Sequence, residues 1–294
     1  MAEVIQKSGG SAMCACRGRR AFLQGVRAVM LAAVLVCLPV SRALGVVGGR
    51  TVNISTVPWS AVVWARSPYA GMPRYVVCTG VIIDPRHILT AEHCVMRGDS
   101  AQPNPASHFT IEAGVSNFEH PRASDHPQMR AVSAERLMPG YVALSKRNLG
   151  NAAYAAGRDL AVFTLSRPLD LGGDDARAAD LPGANAPKPT ASTPLVMAGY
   201  GEEKARVYPN GELNMLVKAT VIRSCSTGRS LCVSTRPGTC NGDSGSGLVE
   251  PGKDPIVVGI LSTGGKNCTP GADGFDSLAA RVSLRFIRSA TRSA

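Results

Sequence analysis

Thr239-Cys240-Asn241-Gly242-Asp243-Ser244-Gly245-Ser246-Gly247-Leu248 is the stretch from which the rest of the chain is read. Glycines flank Ser244 on both sides. Lacking Cβ atoms, they let neighbouring backbone N–H groups point into one small volume and leave the hydroxyl unobstructed. A phosphate-binding P-loop is excluded, because no Gly-Lys-Ser/Thr follows at the required spacing. The strand-turn-helix nucleophile elbow, Gly-x-Ser-x-Gly, also fails, since Ser246 stands where its second glycine belongs. Read alone, the stretch is a glycine turn that carries an accessible serine.

The surrounding composition limits what such a turn can belong to. The chain has 294 residues, with 31 Gly and 20 Pro, 45% hydrophobic and 18% charged residues. That is too apolar for general disorder and too rich in turn formers for a long helical bundle. Short apolar stretches at 59–64, 75–77, 80–83, 160–165, 195–198, 213–222 and 256–261 read as strands. Residues 99–151 and 170–193 read as loops, the second linking two halves, and only residues 284–292 read as a helix. Six cysteines, Cys78, Cys94, Cys225, Cys232, Cys240 and Cys268, lie in the body of the chain, an even set without CxxC spacing. This favours disulfides and an oxidising compartment over zinc.

The first 45 residues agree with that compartment. Arg17, Arg19, Arg20 and Arg27 precede an apolar run over residues 28–40, followed by Ser41-Arg42-Ala43-Leu44-Gly45. Basic, apolar and small-residue regions in this order are those of an export signal. Arg19-Arg20-Ala21-Phe22-Leu23-Gln24 is similar to the twin-arginine motif, which leaves the route open between that path and the general one. The formal charge of the whole chain is +11; the first 45 residues hold six basic residues and one acidic, leaving 26 against 20 beyond them. With no long Lys/Arg block and few aromatics, a nucleic-acid surface is not expected.

Two further stretches complete the chemistry. Leu89-Thr90-Ala91-Glu92-His93-Cys94 sets a histidine beside a cysteine after a strand-like run, and Arg158-Asp159-Leu160-Ala161-Val162 sets an aspartate at the mouth of an apolar strand. Each alone has a plain structural alternative, a core histidine or a turn carboxylate. Together with Ser244 they resemble the chymotrypsin/trypsin-like serine proteases, in which histidine, aspartate and serine follow in that chain order. Val46-Val47-Gly48-Gly49 resembles the family's mature N-terminus, Pro58-Trp59-Ser60 its first strand, Gly199-Tyr200-Gly201 its Gly-aromatic-Gly turn, and Ser262-Thr263-Gly264 its substrate-binding strand.

The resemblance implies an all-β fold of two antiparallel six-stranded β-barrels with a short C-terminal helix, in a secreted member of bacterial type. Residues 1–45 would be the export signal, 46–170 the first barrel with His93 and Asp159, and 171–294 the second with Ser244. It further implies a serine endopeptidase: Ser244 as nucleophile, His93 as general base then acid, Asp159 as the group that orients the imidazole, and the amides of Gly242 and Ser244 as oxyanion hole. Asp243 would pair with the α-amino group of Val46, and Ala43-x-Gly45 places a signal-peptidase cut immediately before Val46. Cys78–Cys94, Cys225–Cys232 and Cys240–Cys268 are the disulfides expected by resemblance.

Gly238, Thr239, Ser262 and Gly264 would line the substrate pocket. With no acid at Gly238, apolar or aromatic side chains are expected there. Asp273 and Asp276 lie on the segment of the far wall, either pointing inward to admit a basic residue or standing as solvated loop charges. Glu92, in place of the usual small residue, reads as exposed or as tuning local charge. Polypeptide substrates and protein inhibitors of proteases are the expected partners, with no cofactor, metal or nucleic acid and with membrane contact only through the export signal. The alternative is a catalytically silent protease fold used for binding.

Overall fold

A computed structural model of the chain describes residues 49–68, 71–98, 100, 102–141, 157–203, 209, 211–216, 219–222, 226, 228–235, 238–269 and 271–292. The expected signal, Val46 and Cys225 lie outside these residues.

Six strands form a closed antiparallel barrel: β2 (Ser60–Arg66), β3 (Arg74–Asp84), β4 (His87–Thr90), β5 (Phe109–Ala113), β6 (Gln128–Leu137) and β7 (Ala161–Leu165), in the order β2-β3-β4-β7-β6-β5. Register shifts at Val63/Trp64 in β2 and at Ile82/Asp84 in β3 are the local irregularities by which strands bend far enough to close. Val62, Val63, Ile82, Leu89, Ile111 and Phe163 belong to one buried cluster, in which Phe109 and Phe163 lie 5.0 Å apart. Each such side chain contributes about 1.5–3 kcal/mol by leaving water.

The second half is a single antiparallel sheet. Strands β1 (Arg50–Thr51), β8 (Val196–Gly199), β9 (Asn214–Leu216), β10 (Ala219–Val221), β11 (Ser230–Thr235), β12 (Gly247–Glu250), β13 (Ile256–Thr263) and β14 (Gly271–Ser277) form one eight-stranded sheet, ordered β1-β9-β8-β12-β13-β14-β11-β10. Among the described residues no ladder joins β10 back to β1, so this is a half-barrel rather than a second closed six-stranded barrel. The apolar stretch 213–222, read as one strand, is split between β9 and β10, which pair with different neighbours. Met197, Leu231, Val233, Leu248, Leu261 and Phe275 fill the core of the sheet.

Residues 99–151, read as a loop, contain β5 and β6 of the closed barrel. The C-terminal helix α1 (Arg281–Arg292) begins three residues before the expected start and packs on β7. Its Leu284, Ile287 and Ala290 are buried at the i, i+3 and i+6 spacing of one helical face.

Candidate functional site

The register of β4 against β7 is what brings histidine and aspartate together. Thr90 at the end of β4 is opposite Ala161 at the start of β7, so the residues just after one strand and just before the other emerge at the same rim. His93 sits there in a one-turn 3₁₀ helix, Glu92–Cys94, and Asp159 precedes β7. The backbone N–H of His93 donates to Asp159 Oδ1 at 2.8 Å, and His93 Nδ1 lies 2.7 Å from Asp159 Oδ2. A carboxylate only accepts, so Nδ1 carries the proton and Nε2 is left as the basic nitrogen.

Asp159 is fully buried. Its charge is met further by the hydroxyl of Ser262, which donates to Oδ2 at 2.6 Å, and its own N–H donates to Asp276 Oδ1 at 3.1 Å. Ser262 was expected as a pocket residue, yet its hydroxyl is spent on Asp159. Neither it nor Asp276 was found as a partner of Asp159 from the sequence, where nothing marks a contact between residues so far apart.

The Ser244 turn is tied to the same barrel through Thr79. The Thr79 N–H donates to the Ser244 carbonyl at 2.9 Å, and its hydroxyl donates to the Gly242 carbonyl at 2.9 Å. The neighbouring Cys78 is bonded to Cys94, which adjoins His93. Gly245 has φ +82, and a Cβ there would lie 2.1 Å from Thr90 Oγ1 and 2.2 Å from the Thr79 carbonyl, so only glycine lets the serine turn come this close to the histidine rim. Among the described residues neither the Gly242 N–H nor the Ser244 N–H has a hydrogen-bond acceptor, and the Ser244 hydroxyl makes no hydrogen bond.

Asp243, the residue before the serine, is buried with no cationic partner among the described residues. The N–H groups of Gly201 and Cys240 donate to its two oxygens at 3.0 and 2.9 Å. A Cβ on Gly199 would fall 2.3 Å from Asp243 Oδ1, which explains why the Gly199-Tyr200-Gly201 turn must start with glycine. Burial pushes the Asp243 carboxyl up to about 7, a rise that the two amides oppose and the charges of Asp273 and Glu202 reinforce.

The solvated-charge expectation for Asp273 and Asp276 is overturned: both are fully buried on β14. They sit within the sheet, Asp273 opposite Val233 and Asp276 opposite Ser230, instead of in a loop. Glu92 is likewise buried rather than exposed. Desolvation raises the Asp273 carboxyl, and the hydroxyls of Thr235 and Thr239 and the amides of Gly265 and Thr239 hold it down. The Thr235 hydroxyl donates to Oδ2, while neither Oδ1 nor the nearby Thr239 Oγ1 completes a hydrogen bond of normal geometry. Asp273 thus stands beside Thr239 and Gly265, next in sequence to Gly238 and Gly264.

Cys78–Cys94 and Cys240–Cys268 are bonded, with Cα atoms 6.1 and 4.6 Å apart. Cys232 is also in a disulfide, and its expected partner Cys225 lies outside the described residues. Among the described residues, His93 beside Cys78 and Cys94, and Glu202 beside Cys240 and Cys268, are clusters dense enough in ligand atoms to suggest a metal, but the cysteines in both are already bonded to each other.

Comparison with known proteins agrees with this architecture. The sequence model of the Trypsin family matches residues 46–285. Submandibular glandular kallikrein-9 of Rattus norvegicus is 26% identical over 238 residues, which cover 76% of this chain and 80% of the relative. Scolexin B of Heliothis virescens is 32% identical over 201 residues, covering 63% and 64%. The proclotting enzyme of Tachypleus tridentatus is 26% identical over 247 residues, covering 78% of this chain and 62% of the relative. The chain therefore spans less than two thirds of the length of the last two. Human heparin binding protein superposes with a TM-score of 0.66 at 21% identity, over 84% of this chain and 97% of that one.

A closed barrel beside a half-barrel, with a short helix at the end, is the chymotrypsin fold. The chain belongs to the Trypsin family. Its relatives named above are animal proteins, so the bacterial type expected from the sequence finds no support.

Proposed function

We propose that the protein is a secreted serine endopeptidase in which Ser244, His93 and Asp159 act in turn on a peptide carbonyl. His93 Nε2 takes the Ser244 proton as the hydroxyl attacks, then gives it to the departing amine, and water repeats the cycle on the acyl-enzyme. Asp159 fixes the tautomer and stabilises the imidazolium. The oxyanion goes to the N–H groups of Gly242 and Ser244, whose lack of acceptors among the described residues suits them to it; one such donor contributes roughly 2.7–4 kcal/mol.

The observation that carries the reading is the 2.7 Å His93–Asp159 contact, part-buried at the rim of a barrel to which the serine turn is anchored through Thr79. Labelling of Ser244 by a fluorophosphonate, absent in Ser244→Ala, is the expected result. The reading is abandoned if the unaltered protein takes up no label. That outcome supports the second reading, a silent binding protein, which is favoured by the Ser244 hydroxyl having no hydrogen bond among the described residues; the fold neighbour, too, is named for binding heparin.

The mature chain in this reading begins at Val46, whose amine neutralises Asp243. The support is the carboxyl itself: wholly buried, raised to about 7, and met only by two amides among the described residues. For the substrate side chain, the apolar preference rested on a pocket without an acid. The buried Asp273 carboxyl, whose neighbours Thr239 and Gly265 adjoin Gly238 and Gly264 in sequence, favours a cation there instead. The space is also narrow, a Cβ on Gly264 falling 2.4 Å from Thr239 Oγ1. A slender cationic chain, lysine or arginine, supplies the donors that a phenylalanine ring lacks. Peptides differing only at that residue are expected to be cleaved about 100-fold faster with Arg than with Phe, from one well-paired buried ion contact of roughly 3 kcal/mol. Asp273→Ala should abolish the difference; equal rates in the unaltered enzyme restore the apolar reading.

A further inference from the structure

The outer face of α1 carries ionised charge of one sign only. Its sequence, RVSLRFIRSATR, contains no acid, and Arg281, Arg285, Arg288 and Arg292 are all exposed. At about 100° per residue they fall within a sector of about 60°, and at about 1.5 Å per residue they run some 16 Å along the axis. Like charges spaced i, i+4 destabilise a helix, and Arg281 stands at the N-terminal end, where the peptide dipoles disfavour a cation. None of the four forms an ion pair with a carboxylate among the described residues.

The stripe is also concave. Arg281, Arg285, Arg288 and Leu284 line a cavity of about 290 Å³ with Ala184 and Asn185 of the segment before β8. Arg281 Nη2 donates to Asn185 Oδ1 at 3.4 Å, which leaves the Asn185 amide NH₂ as one more donor at the rim. We infer that this face binds a linear sulfated polysaccharide, with one sulfate group seated among Arg281, Arg285 and Arg288 and the chain continuing toward Arg292.

Guanidinium forks match tetrahedral and planar oxyanions through paired N–H donors, which suits four arginines better than four lysines. An anionic membrane fits less well: Leu284 and Ile287 are buried inward, so the face offers no apolar side chain to insert. A single-stranded nucleic acid fits less well too, because no exposed aromatic on the face can stack a base. A pocket for one projecting group suits a sulfate held away from its sugar chain more than the flush phosphates of a duplex.

The test is binding of the purified protein to dextran sulfate, with unsulfated dextran, a short DNA duplex and phosphatidylglycerol vesicles as competitors at one fixed salt concentration. Dextran sulfate is expected to bind most tightly. The pair Arg285→Gln and Arg288→Gln should weaken it about tenfold, while Arg97→Gln with Arg167→Gln, an equal loss of exposed charge elsewhere, should change it less than about twofold. Equal loss in the two pairs reduces the effect to net charge and overturns the inference. So does tighter binding of duplex or vesicles, or no binding of dextran sulfate at all. Should the first pair fail to fold, the salt dependence of the unaltered protein decides: a log–log slope of about three to four is expected, and a slope near one refutes the site. None of these readouts depends on Ser244 or on proteolysis.

Discussion

Asp159, at the rim of the closed barrel, and Asp243, within the half-barrel, are both fully buried, yet their charges are met in different ways. Asp159 receives a backbone N–H, a ring N–H and a hydroxyl from elements already in place. Asp243 receives two amides and is raised to about 7, with Asp273 adding to its repulsion. Burying a charge without a partner is costly, and burying two near each other is more so. The charge of Asp159 is therefore met as folded, whereas Asp243 and Asp273 have no cationic partner among the described residues. In the proposed enzyme the Val46 amine is the partner of Asp243 and the substrate's cationic side chain that of Asp273.

The largest expected effect comes from the barrel side. Asp159→Asn keeps the shape and a hydrogen bond to the ring but no longer forces the proton onto Nδ1, so Nε2 ceases to be the base. A fall in kcat of about 10⁴-fold is expected with little change in KM. A loss under tenfold, measured on the same peptide substrate, removes Asp159 from the mechanism.

The sheet side is tested by moving the N-terminus. Retaining Gly45 ahead of Val46 displaces the proposed amine and leaves Asp243 unpaired, a cost on the order of 3–5 kcal/mol that lowers kcat/KM by roughly 10² to 10⁴-fold. The pH signature separates the two forms. In the extended chain the folded pKa of Asp243, about 7, lies above its ordinary 3.8, so the stability tied to the neutral carboxyl is full below 3.8 and is lost as pH rises through about 7. In the chain starting at Val46, pairing raises the amine above its ordinary value of about 8, so that stability persists at neutral pH and is lost only in alkali. Urea midpoints followed from pH 4 to 10 check this. Parallel curves for the two forms sink the pairing.

The contrast between the halves also describes what could be read from the chain. The serine turn, the histidine after β4 and the aspartate before β7 carry short motifs, and the apolar runs of β2, β7 and β13 announced themselves as strands because nearly every residue in them is buried. Strand β6 could not be seen this way: of Gln128–Leu137 only Val132 is buried, so its ladder partners define it rather than its side chains. Strand β14, Gly271–Ser277, was hidden for the opposite reason. Its glycines and aspartates spell a turn, and only pairing on both sides with β11 and β13 makes it a buried strand. The same strand supplies Asp273 and Asp276, so the misread element and the misread carboxylates have one cause.

Ser262 offers the finest test, because it joins the two halves: it sits on β13 of the sheet and spends its hydroxyl on the aspartate of the barrel. A hydrogen bond to a charged group contributes about 1.5–3 kcal/mol. Ser262→Ala leaves both contacts of Asp159 to His93 in place, so the tautomer is kept and only part of the carboxylate's stabilisation is lost. A fall in kcat of about tenfold is expected, with KM for the peptide unchanged. Ser262→Thr, which restores a hydroxyl, should recover most of it. If alanine instead raises KM and spares kcat, Ser262 belongs to the substrate pocket, as its place in the Ser262-Thr263-Gly264 run first suggested, and the charge of Asp159 is met without it.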